Sequence, residues 1–187
     1  MDRTRRRVLA ALPLIAAATA AMPAAAEAAS ASELGQQAAL ALKELYAKQP
    51  HMQALGERAK GILVFPRIVK AGFMIGAQTG NGALLVHGSA IGYYNISAVS
   101  FGLQAGAQAF SYALFFMTDG SLDYLKSSHG WAIGTGPSVV VLDKGAAGSV
   151  TSTTLSQAVY AVPFSATGLM AGIGLEGSKI TPIRPGK

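Results

Sequence analysis

Lys60-Gly61-Ile62-Leu63-Val64-Phe65-Pro66 is the stretch at which the hydrophobic pattern of the chain changes period. Before it, apolar residues recur every three or four positions. Leu34, Ala38, Ala41, Leu42 and Leu45 form one stripe, with Gln36, Gln37, Lys43, Glu44 and Lys48 over much of the remaining surface. That spacing predicts an amphipathic helix from about Ala31 to the residues before Pro50. Ser30 and Glu33 stand at capping-box spacing and start it. A short second helix is expected from His51 to Lys60, weakened by Gly56.

From Gly61 onward the pattern is that of strands. Ile62 to Phe65 is a continuous apolar run of buried-strand type, and Pro66 is expected to stop it. Ala71 to Gln78 and Ala83 to His87 follow as two strands. Between them Thr79-Gly80-Asn81-Gly82 predicts a hairpin turn, because Asn-Gly suits a type I′ turn. Ala90 to Ile96, Ser97 to Ala109 and Tyr112 to Met117 continue the β pattern. A short helix is expected near Leu122 to Ser127, then a strand from Trp131 to Leu142 and a mobile loop over Ala146 to Ser156. Tyr160 to Phe164, Leu169 to Leu175 and Lys179 to Ile183 read as the last strands, with a turn at Glu176-Gly177-Ser178.

Glycines recur four apart at Gly72/Gly76, Gly102/Gly106, Gly130/Gly134 and Gly168/Gly172. On a strand such residues share a face, which permits sharp coiling or close packing. The expected fold is therefore α+β: an N-terminal amphipathic helix packed on a strongly curved, glycine-rich antiparallel sheet or small barrel. No segment after the leader has the ~18 uninterrupted apolar residues of a membrane-spanning helix.

The chain has 187 residues, 22 Gly, 8 Pro and no Cys. Absence of Cys excludes a disulfide scaffold, a thiol nucleophile and thiolate metal sites. Residues 1–26 read as a secretory signal peptide, with Arg3, Arg5, Arg6 and Arg7 ahead of an apolar run and small residues at the expected cleavage site. Thr4-Arg5-Arg6-Arg7-Val8-Leu9 resembles a twin-arginine export signal. Residues 27–34 are expected as a flexible lead-in and residues 35–187 as a single domain. Removing residues 1–26 takes four of the 15 basic residues and one of the 9 acidic residues, so the net charge falls from +6 to +3. That excess is too small for a nucleic-acid partner. The expected location is periplasmic or secreted, with peripheral attachment to a membrane.

No catalytic constellation emerges. Gly172-Ile173-Gly174-Leu175-Glu176-Gly177 spells a dinucleotide fingerprint, but no βαβ unit fits around it. His51, His87 and His129 lie far apart, with no His or carboxylate at ligand spacing, so no metal or cofactor is expected. Asp119 and Asp123 are read as helix-capping and first-turn residues. A hydrolase with a spatially assembled site around His129 ranks third, behind two binding functions. The other notable feature is cations beside apolar surface. Lys60 precedes the apolar run, Arg67 and Lys70 follow it, and Phe65 and Phe73 lie close by. Lys43, Lys48 and Arg58 stand on the helical region, and Lys179 and Arg184 flank the last strand. Such residues serve either as solubilising charge at strand ends or as an interfacial patch meeting phosphate headgroups.

Lys60-Gly61-Ile62-Leu63-Val64-Phe65-Pro66, Lys70-Ala71-Gly72-Phe73, Tyr93-Tyr94 and Ser100-Phe101-Gly102-Leu103-Gln104-Ala105-Gly106 together resemble the SYLF domain family. Support continues at Gly130-Trp131, Gly168-Leu169-Met170-Ala171-Gly172 and Leu175-Glu176-Gly177-Ser178, so the likeness spans about residues 35–183. The resemblance implies lipid binding without catalysis. Eukaryotic relatives carry basic residues before the Gly-Leu-x-Ala-Gly block. Here Phe164-Ser165-Ala166-Thr167 has none, which points to general phospholipid binding rather than selective phosphoinositide recognition. Lys60, Arg67, Lys70, Phe65, Phe73 and Lys179 are the expected lipid-binding residues. Phospholipids or a membrane surface are the expected partners. An envelope assembly module that binds a protein is the alternative.

Overall fold

A computed structural model describes residues 29–142, 156–168, 175 and 177–186, with backbone alone at 73, 74, 100–105 and 168. The leader, the loop expected at 146–156 apart from Ser156, most of the strand expected at Leu169 to Leu175 and the dinucleotide-like glycine run apart from Leu175 and Gly177 lie outside the described residues.

Helix α1 (Ala31–Lys48) starts at the expected capping box. The Ser30 hydroxyl accepts from the Glu33 amide at 3.3 Å, and the Glu33 carboxylate accepts from the Ser30 amide at 2.8 Å. Two otherwise orphaned helix-end donors are thereby satisfied. Leu34, Ala38, Ala41 and Leu45 are its buried residues, which is the stripe read from the sequence. Helix α2 (His51–Arg58) follows after Pro50.

Two very long antiparallel strands come next, β1 (Gly61–Val86) and β2 (Ser89–Phe116). The single turn between them is His87-Gly88, with φ of 49° and 79°. Positive φ at both central residues is the type I′ signature. The turn expected at Asn81-Gly82 is absent. Asn81 instead pairs across the ladder with Asn95, whose side-chain amide donates to Asn81 Oδ1 at 2.8 Å, Thr79 Oγ1 at 3.1 Å and the Gly80 carbonyl at 3.1 Å. Pro66 does not end the strand either. It sits in a bulge, where the register shifts between Phe65↔Tyr112 and Ile68↔Phe110, and Ser111 Oγ donates to the Pro66 carbonyl at 2.8 Å. A bulge is where a proline, lacking an N–H, fits into a ladder.

The hairpin folds over at its middle. A Cβ at Gly72 would collide with the Cα of Gly76, so the paired glycines expected to permit coiling do so here. Gly72 faces Gly106 across the ladder. Farther along, a Cβ at Gly82 would collide with the Val64 carbonyl, and one at Gly80 would meet the Arg67 carbonyl at 2.5 Å. The second half of β1 thus lies against its own first half. This close approach, not a turn, is why position 82 is glycine.

Helix α3 (Asp119–Ser127) is capped by Thr118, whose hydroxyl accepts from the Ser121 amide at 3.1 Å. The strand expected over Trp131 to Leu142 is two short ones, β3 (Trp131–Ala132) and β4 (Val139–Val141). Gly134 and Gly136, at φ of 102° and 75°, break it. β5 (Val159–Gly168) and β6 (Lys179–Pro182) complete a six-stranded sheet among the described residues. β2 is its spine. One edge pairs with β1 along its length; the other pairs with β6 near the turn and β5 at the far end. β3 adds antiparallel to β6, and β4 adds parallel to β5.

Apolar side chains leave this sheet on both faces. Leu63, Phe65, Leu114, Phe116, Val159 and Ala161 meet inside the fold with Trp131 and Leu125. Ile62, Val64, Ala113, Phe115, Tyr160 and Val162 meet α1 and α2 outside it. Burial on both faces explains why Gly61 to Phe65 reads as an unbroken apolar run rather than an alternating one.

Candidate functional site

The sequence-derived lipid-binding residues do not converge on one patch. Lys60 is exposed at the start of β1, and its ammonium lies 3.5 Å from the Asp119 carboxylate. Arg67 is exposed beside the Pro66 bulge. Lys70, with 9% of its surface exposed, pairs with Gln108 inside the sheet. Counting by twos from buried Ile68 puts it on the inner face. Phe65 is 0% exposed, a core residue with no surface to offer a ligand. Phe73 pairs by backbone with Ala105, and its side chain lies outside the described set. Lys179 is exposed on β6, its stem passing over Gly130. Alternation explains the scatter: residues close in a strand's sequence point to opposite faces, and the fold-over then separates the two halves of β1.

Lys60 does belong to a site, assembled with residues distant in sequence. Helices α1 and α2 and the start and turn of the β1–β2 hairpin enclose a groove of about 720 Å³. Leu42, Ile62 and Leu85 supply apolar lining, and Lys43, Lys60, Glu57 and His87 supply charged or titratable groups. The volume falls within the ~300–1,000 Å³ usual for small-molecule sites, as does the combination of apolar wall with a few polar groups.

Tyr46 closes one side. A Cβ at Gly56 would clash with its hydroxyl and ring, so glycine in α2 is what seats this side chain. Burial, and secondarily the Glu57 charge, push the Tyr46 hydroxyl up to about 12. It therefore remains a neutral hydrogen-bond donor at any ordinary pH. Glu57 accepts from the Gln53 side-chain amide at 3.2 Å. Sequence reasoning missed Tyr46, Glu57 and His87 as groove-lining residues. Lys43, Tyr46 and Ala47 at i, i+3 and i+4 do mark one helix face, but nothing local signals that the hairpin turn comes to lie beside it.

The carboxylates of α3 are engaged structurally. Asp119 faces Lys60, and Asp123 lies 3.3 Å from Lys126. Among the described residues no group of three or more His, Asp or Glu is placed to hold a metal ion, and no helix is long and apolar enough to cross a membrane. The inner face toward the bend carries polar groups. Gln78 donates to Ser178 Oγ at 3.0 Å, and the Gln108 carbonyl oxygen is buried without a partner.

Residues 97–184 match the model of a family, Ysc84, described as Las17-binding protein actin regulator. No curated protein matches the chain.

Proposed function

The chain belongs, over residues 97–184, to the Ysc84 or SYLF family, and on that premise we propose that it binds phospholipid surfaces without catalysis. The groove between α1, α2 and the hairpin is the observation that carries this reading. Lys43 and Lys60 stand at its rim, and each basic residue near an anionic surface adds about 1 kcal/mol. The apolar lining from Leu42, Ile62 and Leu85 suits the glycerol and first acyl carbons. With the leader removed, the net charge of +3 adds a weak, salt-screened attraction to anionic membranes. Export to the periplasm or medium is part of the proposal and rests on the basic-apolar-small pattern of residues 1–26. N-terminal sequencing of the fractionated protein tests it; a retained leader in the cytosol refutes it.

Co-sedimentation of the mature protein with anionic and with neutral vesicles at low salt tests the lipid reading. Binding that weakens with added salt is expected. Absence of binding to both vesicle types removes it. The family description favours a second reading, a protein-binding module. This reading predicts capture of one discrete partner and indifference to lipid composition.

A further inference from the structure

The groove is not uniformly basic, and that decides what headgroup it fits. Lys43 and Lys60 face it together with the Glu57 carboxylate, and the charge of Lys60 is already shared with Asp119 at 3.5 Å. A purely anionic headgroup brought against this wall meets Glu57 with like charge, which disfavours it. A headgroup carrying both signs uses every group present.

We infer that the groove reads a phosphoethanolamine headgroup, with the phosphate toward Lys43 and Lys60 and the primary ammonium toward Glu57. Four features carry the assignment. Glu57 lines the groove and, among the described residues, accepts one side-chain hydrogen bond, from the Gln53 amide, so its carboxylate keeps acceptor sites for an ammonium. The Tyr46 hydroxyl stays protonated and serves as a neutral donor to a phosphate oxygen. The apolar lining gives the chain-bearing end of the lipid a place against protein rather than water. Finally, a quaternary ammonium has no N–H to offer Glu57, so the site distinguishes ethanolamine from choline by hydrogen bonding. This inference rests on the phospholipid reading above.

The test uses the mature protein and vesicles of one fixed anionic fraction, with either phosphatidylethanolamine or phosphatidylcholine as the remainder. Binding about two- to fivefold tighter to the ethanolamine vesicles is expected, within the range of one net hydrogen bond. Glu57→Gln keeps side-chain size and removes the charge. It is expected to bring that ratio to about one. Equal binding of the wild type to both vesicles, or a ratio that survives Glu57→Gln, overturns this inference and leaves the phospholipid reading standing. No binding to either vesicle overturns both.

Discussion

The open end of the β1–β2 hairpin and its folded-over middle are made of the same two strands, yet they live in different surroundings. At the open end, Ile62 to Phe65 and Ala113 to Phe116 are buried on both faces, between the internal core and the helices. At the middle, Ile75 and Val99 are 60% and 61% exposed, while Lys70, Gln78 and Gln108 are buried on the inside. The apolar–polar order is thus inverted along one pair of strands. Stability is concentrated where helices cover the sheet. The bend holds its shape through glycine and backbone pairing instead.

Phe65→Ala should be the most damaging change, costing about 3–5 kcal/mol, because it opens a cavity under the helix-covered end. Val99→Ser at the bend should fall within about 0.5 kcal/mol. Denaturant midpoints of the two variants measure the contrast directly; equal losses would abolish it. Gly82→Ala comes next, at about 1–3 kcal/mol, since the new methyl must displace the Val64 carbonyl that joins the two halves of β1. Ser30→Ala removes half of the capping box and should cost about 1 kcal/mol, read as a lower thermal midpoint. His87→Asn, which puts a residue better suited to positive φ at the first central position of the type I′ turn, should gain roughly 0.5 kcal/mol.

A pH scan sharpens the same comparison. Burial first, and then Glu57, raise the Tyr46 hydroxyl from its ordinary value near 10 to about 12. The folded chain therefore holds this proton more tightly than the unfolded chain does. The stability it contributes is complete below pH 10 and is lost as pH rises toward 12. Burial raises Tyr94 and Tyr112 in the same direction. Denaturation midpoints should fall over that window, and Tyr46→Phe should make the fall shallower.

Much of this architecture was legible in the sequence, for local reasons. The helix stripe, the Ser30–Glu33 box and the strand character after Gly61 all depend on neighbours a few residues away. The strand boundaries did not come through, because Pro66 and Asn81-Gly82 are punctuation whose meaning depends on the partner strand. Opposite Ser111, Pro66 marks a bulge; opposite Asn95, Asn81 is an ordinary ladder residue. The Gly72/Gly76 spacing did signal curvature. The groove was nearly illegible. Lys60 stood out through its neighbours in sequence, whereas Tyr46, Glu57 and His87 reach it from two helices and a turn that only the folded hairpin brings together.

The turn at His87-Gly88 also bears on assembly. Val86↔Ser89 forms across two residues, and each further pair shortens the loop that the next must close, so β1 and β2 can zip from the turn outward. Joining Ile96 to Ile180 offers no such ladder of small steps and requires the closing of a long loop. A chain still lacking its last strands would have a fully zipped β2 with its second edge bare, a row of unmatched amides and carbonyls open to any neighbouring chain. Pairing with β5 and β6 therefore does more than complete the sheet: it covers an edge that would otherwise stand open to a neighbouring chain.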